Sequence, residues 1–213
     1  DERYERYREK ARWITRRKGS KYQNFHHFYH AHPDIVGRYR RFFILDDDLA
    51  FDGGVEAINR MFAVAKRYRL AICGPSFSAD GKVSHDINAH RPGISRAYTN
   101  FVEVNAQLFS RSALDRLMKW LTPDLIGWGI DFLAIWANGL EERRSYAVVH
   151  EVSCWNPHDH DKDHRRELDL IPEVERRQAI WENHARSIGC PVEFDLVEYA
   201  VVPDARATQP VIS

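Results

Sequence analysis

Four consecutive apolar residues, Phe42-Phe43-Ile44-Leu45, run straight into three aspartates, Asp46-Asp47-Asp48. The apolar run is too short for a helix of its own, and such runs fit a strand buried on both faces of a parallel sheet. The change of polarity then puts three carboxylates at the carboxyl end of that strand. Downstream, Gly53-Gly54 makes a turn, and Val55, Ile58, Phe62 and Ala65 mark one face of a helix. A second apolar run, Leu70-Ala71-Ile72-Cys73, is stopped by Gly74-Pro75. Strand, helix and strand in this order predict a βαβ unit, and hence an α/β fold with a mixed, mostly parallel sheet flanked by helices. With 213 residues and no internal repeat or low-complexity linker, a single domain over 1–213 is expected, its core at about 19–157 and a C-terminal helix and tail at 172–213.

The remaining chain is read from spacing and breakers. Tyr4, Tyr7, Ala11 and Ile14 share a helical face that should end near Gly19. Tyr22, Phe25, Phe28 and Tyr29 form an aromatic stripe on a second helix, read as core packing, before Pro33 and Gly37 break the pattern. The alternation over Val83 to His90 is loose. Phe101-Val102-Glu103-Val104-Asn105 reads as a strand whose polar positions face a site. Ser112 to Leu121 predicts a helix, and Gly127-Trp128-Gly129 a turn that opens another, with Phe132, Ile135 and Trp136 on its buried side. Tyr146 to Val149 is expected as a strand ending at His150. Trp155 to Arg166 reads as a polar loop, Pro172 as the first turn of a last helix running to about Ser187, and Val192 to Val202 as an edge strand.

Lysine plus arginine equals aspartate plus glutamate at 31 each, so there is no global field favouring nucleic acid or an anionic membrane. The basic runs Arg16-Arg17-Lys18 and Arg38-Tyr39-Arg40-Arg41 read as solvated faces. No stretch approaches the ~20 apolar residues of a membrane span. Cys73, Cys154 and Cys190 are widely spaced and odd in number, which suits a reducing compartment rather than a disulfide framework. With no apolar signal segment in the first 18 residues, a cytoplasmic location is expected.

In open α/β sheets ligands bind beyond the carboxyl ends of strands, where the triplet lies. Asp46 and Asp48, one residue apart, can both reach a hard cation such as Mn²⁺ or Mg²⁺ and leave coordination positions for phosphate oxygens. The same triplet could equally solubilise a turn or cap the next helix. Asp131, at a glycine-framed helix start, can act as general base on a hydroxyl or simply complement the helix dipole. His150 at a strand end could complete the metal set, and His158-Asp159-His160-Asp161 reads as a solvated polar loop in preference to a second metal site or a mobile acceptor loop.

Several stretches together resemble a plant-and-bacterial family catalogued as a domain of unknown function and grouped with GT-A glycosyltransferases. They are Lys21-Tyr22-Gln23-Asn24-Phe25, His32-Pro33-Asp34-Ile35-Val36, Phe43 to Leu49, Phe101-Val102-Glu103, Phe109 to Ala113, Gly127 to Phe132 and Val148-Val149-His150, within about Gly19 to Pro157. The resemblance implies a GT-A-like nucleotide-diphospho-sugar transferase fold and a metal-dependent glycosyltransferase. Asp46, Asp48 and His150 would hold the metal, Asp46, Asp47, Asp48, Lys21 and Gly19 would line the donor site, and Asp131 would be the catalytic base. Trp128, Gly129, Asp131 and Glu103 would meet a carbohydrate or other hydroxyl acceptor, with Trp128, Tyr98 and Phe101 stacking on sugar faces. GT-A domains open with a base-binding strand, and here the chain starts in the helix that would follow, so a sheet lacking that first strand is expected. The alternatives are a metal-dependent phosphoesterase and a non-catalytic carbohydrate-binding protein.

Overall fold

The computed structural model describes residues 5, 7–159 and 167–205. In chain order its main elements are α1 (Lys21–Ala31), α2 (Pro33–Val36), β1 (Arg41–Leu45), β2 (Ala50–Phe51), α3 (Gly54–Arg67), β3 (Ile72–Phe77), β4 (Ile94–Thr99) and β5 (Ala106–Ser110). Then come α4 (Arg111–Met118), α5 (Ile130–Asn138), β6 (Tyr146–Trp155), α6 (Arg177–Ile188) and β7 (Glu198–Pro203). The strands form one seven-stranded sheet in the order β1-β5-β3-β6-β4-β7, with β2 pairing β6 off that path.

The α/β class and the mixed sheet hold, but the sheet is mostly antiparallel, which corrects the expected mostly parallel one. Among the strands described, only β3 and β6 pair in parallel, beside an isolated parallel bridge between Phe77 and Ala89. β1 and β3 flank α3 as a βαβ unit should, yet β5 lies between them and runs antiparallel to both. β1 is therefore an edge of the strand order, and only Ile44 within it is buried. Its apolar run comes from half-burial against helices rather than from two covered faces.

The sheet separates two apolar layers by strict alternation along the strands. Ile44, Ile72 and Phe109 join Tyr22, Leu114, Leu117, Leu133 and Trp181 on the face covered by α1, α4, α5 and α6. Cys73, Leu108, Ala147 and Val149 join Met61, Val64 and Ala65 of α3 on the other. Helix starts follow local chemistry: Ser20 and Gln23 form a reciprocal capping box at α1, and the Ser110 hydroxyl accepts the Ala113 N–H at α4.

Several expected boundaries are corrected. Residues 11–18 carry no helix, so the anticipated one does not run to Gly19, and Tyr7 is among the exposed large apolar side chains. Gly74-Pro75 does not stop β3, which runs through both. The ladder to β6 instead shifts register between Pro75 and Ser76, where proline has no N–H to give. Phe101 to Asn105 is an irregular turn, and the strand there is β5. β4 lies where the sequence signalled none, because its buried positions include Ser95, Arg96 and Thr99. β6 continues to Trp155, so His150 lies inside a strand and not at its end. The last helix starts at Arg177, not Pro172, while β7 is the expected edge strand. His160 and Asp161 lie outside the described residues. No described helix is long and apolar enough to cross a membrane.

Candidate functional site

The first residue of α1, the end of β1 and the turn before β5 meet at one edge of the sheet. Lys21 Nζ lies 2.8 Å from Asp46 Oδ1 and donates to the carbonyls of Val104 at 2.6 Å and Asn105 at 3.2 Å. The Asp46 N–H donates to Asn105 O at 2.9 Å, so the triplet is tied to the same turn. Burial lowers the Lys21 pKa, opposed by the nearby Asp46, Asp48 and Glu103 carboxylates.

Two buried acids sit beside this pair. Glu103 Oε2 accepts from Asn88 Nδ2 at 3.1 Å and Oε1 from Asn105 Nδ2 at 2.9 Å. Burial pushes its pKa up to about 7, with Asp131 and Asp46 adding to the rise and the Ser84 and Asn88 hydrogen bonds opposing it. Asp131, in the first turn of α5, accepts the Phe132 N–H at 3.0 Å. Burial raises it to about 6, against the pull of backbone N–H groups and Lys21. The Tyr22 hydroxyl, hydrogen-bonded to Gln107, is raised well above its ordinary value by burial and then by Asp131 and Asp46. One network of Lys21, Tyr22, Asp46, Glu103 and Asp131 thus links residues up to 110 positions apart. Acids poised near neutrality are characteristic of sites that move protons.

The structure thus brings Lys21, Asp46, Glu103 and Asp131 together, with Asp48 within electrostatic reach of Lys21. His150 is not with them. Two strands, β5 and β3, separate β1 from β6, which by strand spacing is about 14 Å of sheet. Its ring faces Arg91, whose backbone N–H donates to Nδ1 at 3.2 Å and whose guanidinium lies 3.2 Å from Nε2. Burial, Arg91 and His90 lower the pKa of His150 to about 4. An imidazole held against a guanidinium is poorly placed to take a cation, which corrects its role as third metal ligand. Among the described residues no set of three or more His, Cys, Asp and Glu is arranged to hold a metal. The donor set that remains, Asp46 with Asp48, fits a hard ion that brings its own phosphate oxygens and water.

The other expected residues have structural partners. The Gly19 carbonyl accepts from Asn24 Nδ2 at 2.9 Å, and a Cβ there would come within 2.9 Å of Asn24 Oδ1. Gly129 packs on Trp181 so closely that a Cβ would lie 2.1 Å from its ring. Trp128 is 45% exposed, with the Arg177 guanidinium 5.3 Å over its ring, and remains open to a ligand. Tyr98 and Phe101 are buried and cannot stack on one, a correction of that expectation. Asn88, Ser84, Tyr22 and Gln107 were not anticipated. Tyr22 was read as core, which it also is, and only its polar tip could have flagged it. No family model matches the chain, and neither a curated protein nor a solved structure matches it.

Proposed function

We propose that the chain transfers a sugar from a nucleotide-diphosphate donor to a hydroxyl acceptor at the edge of the sheet beyond β1. The observation that carries this reading is the network in which Lys21 pairs with Asp46 while Glu103 and Asp131 are held, uncommonly basic, beside them. A Mn²⁺ or Mg²⁺ ion held by Asp46 and Asp48 would supply charge neutralisation as the diphosphate departs. Lys21, whose three N–H bonds are taken by Asp46 and the Val104 and Asn105 carbonyls, adds only its positive charge near the same phosphates. Asp131, ionised at neutral pH yet more basic than an exposed aspartate, takes the proton of the acceptor hydroxyl, and Glu103 orients that hydroxyl. Trp128 gives the acceptor an exposed apolar face. Calorimetry with uridine and guanosine diphosphates, each with Mn²⁺, tests the donor site. Binding of at least one is expected, and binding of neither would leave a non-catalytic reading in its place.

One observation favours a second reading, a metal-dependent phosphoesterase. A phosphoaspartyl mechanism needs a lysine against the nucleophilic aspartate and further acidic groups, and Lys21 at 2.8 Å from Asp46 with Glu103 and Asp131 nearby meets that need. Hydrolysis of a simple aryl phosphate with no nucleotide sugar present would support it over transfer.

A further inference from the structure

Away from the acidic network, the solvent side of α1 presents His26 and His30 four residues apart, where helix geometry stacks side chains on one face. Their ring centroids are 4.5 Å apart with planes inclined by 57°, which is not a parallel stack. Two imidazoles bound to one ion at ~2.1 Å and at right angles would place their ring centres about 4.6 Å apart. The pair opens on a groove of about 460 Å³ lined by Arg17, His26, His27, His30, Ala31 and Pro123, roomy enough for the water or anion ligands that complete a coordination shell.

We infer that His26 and His30 form a two-histidine chelate for a borderline divalent transition ion of the Zn²⁺, Ni²⁺ or Cu²⁺ class, for which imidazole is a preferred donor. The ion completes its shell with solvent or an anion attracted by Arg17. The site takes nitrogen-seeking ions, whereas Asp46 and Asp48 offer only oxygen, so the two centres are chemically distinct.

Calorimetric titration of the full chain with Ni²⁺ in a non-coordinating buffer tests this. One equivalent should bind. His30→Ala and His26→Ala should each weaken it at least about tenfold, since losing one arm of a chelate turns an intramolecular second contact into none. Because the chain holds 11 histidines, His184→Gln serves as a control and should bind as the native chain does. Asp48→Asn should do likewise, which keeps the outcome separate from that of the sugar-transfer reading. His30 is exposed, so its alanine variant should melt as the native protein does without metal. Unchanged affinity and stoichiometry in the His26→Ala, His30→Ala double variant, or loss shared equally by His184→Gln, would overturn the inference.

Discussion

Replacing Gly129 by alanine builds a Cβ at 2.1, 2.2 and 2.4 Å from Cδ2, Cε2 and Cγ of Trp181, at a backbone φ of +75°. The left-handed backbone alone costs an L-residue about 1–2 kcal/mol. The indole is 1% exposed and wedged among the side chains of α5 and α6, so moving it repacks a filled core at about 1–3 kcal/mol. It also stretches the hydrogen bond from Trp181 Nε1 to the Val192 carbonyl, 2.9 Å long, whose loss inside the protein costs about 1–2 kcal/mol. A total of about 3–7 kcal/mol is expected, a large part of the ~5–15 kcal/mol that holds a domain together. Gly127→Ala supplies the comparison. Its φ of +83° is as left-handed, but nothing lies within 4 Å of the new Cβ, so only the backbone cost should appear. Urea unfolding of both variants, followed by tryptophan fluorescence, reads the difference directly. If the two differ by less than about 1 kcal/mol, the packing of Trp181 on Gly129 is not what fixes that glycine.

Burial raises Asp131 to about 6 and Glu103 to about 7, so each stabilises the fold below its unfolded value near ~4 and withdraws that support as pH rises through its folded value. The decline is worth about 3 kcal/mol per group, and Glu103→Gln should remove its share between pH ~4 and ~8; an unchanged slope of unfolding free energy would refute the burial. Asp48→Asn should abolish Mn²⁺-dependent turnover while leaving the unfolding midpoint in place, and persistent Mn²⁺ dependence would count against the metal assignment. Asp131→Asn should slow transfer about 10²- to 10⁴-fold with little change in donor affinity; equal loss in both would move Asp131 to the donor side. Gly74→Ala should destabilise, because its Cβ would sit 2.8 Å from the Ala106 carbonyl oxygen and 3.0 Å from Val102 Cγ1; circular-dichroism melting at the native midpoint would contradict the close approach of β3 to that turn.

Periodicity sufficed where an element buries one apolar face. Val55, Ile58, Phe62 and Ala65 announced α3 as a helix, though its buried positions are Ala57, Met61, Val64 and Ala65 and Val55 is exposed, and the glycines around Trp128 announced the start of α5. It failed where tertiary contacts satisfy polar groups. Arg96 is buried in β4 because its guanidinium stacks 3.4 Å over the Tyr68 ring and bonds Tyr98, partners no local pattern reveals. Phe101 to Asn105 has the composition of a strand, but Glu103 turns back to Asn88 and Asn105, and the carbonyls of Val104 and Asn105 are claimed by Lys21. Strand direction was illegible as well, since an apolar run reads the same whichever way its neighbours point. In the site, Asp46 and Asp131 stood out for their positions at element ends, and Lys21 entered only through the resemblance. The hydrogen-bond partners of Glu103, Asn88 and Asn105, lie on different stretches of the chain and leave no trace in spacing.

The ammonium of Lys21 already occupies one oxygen of Asp46. A divalent ion settling on the same carboxylate would stand within about 4 Å of that ammonium, a repulsion of about 8 kcal/mol at an effective dielectric of ~20. Asp46, Asp47 and Asp48 set three negative charges against the one positive charge of Lys21, so this repulsion would weaken the hold on a divalent ion rather than bar it. If the proposed transfer is right, the brace between α1 and the triplet would act as a brake on bare metal, eased when a diphosphate brings further negative charge to the same edge.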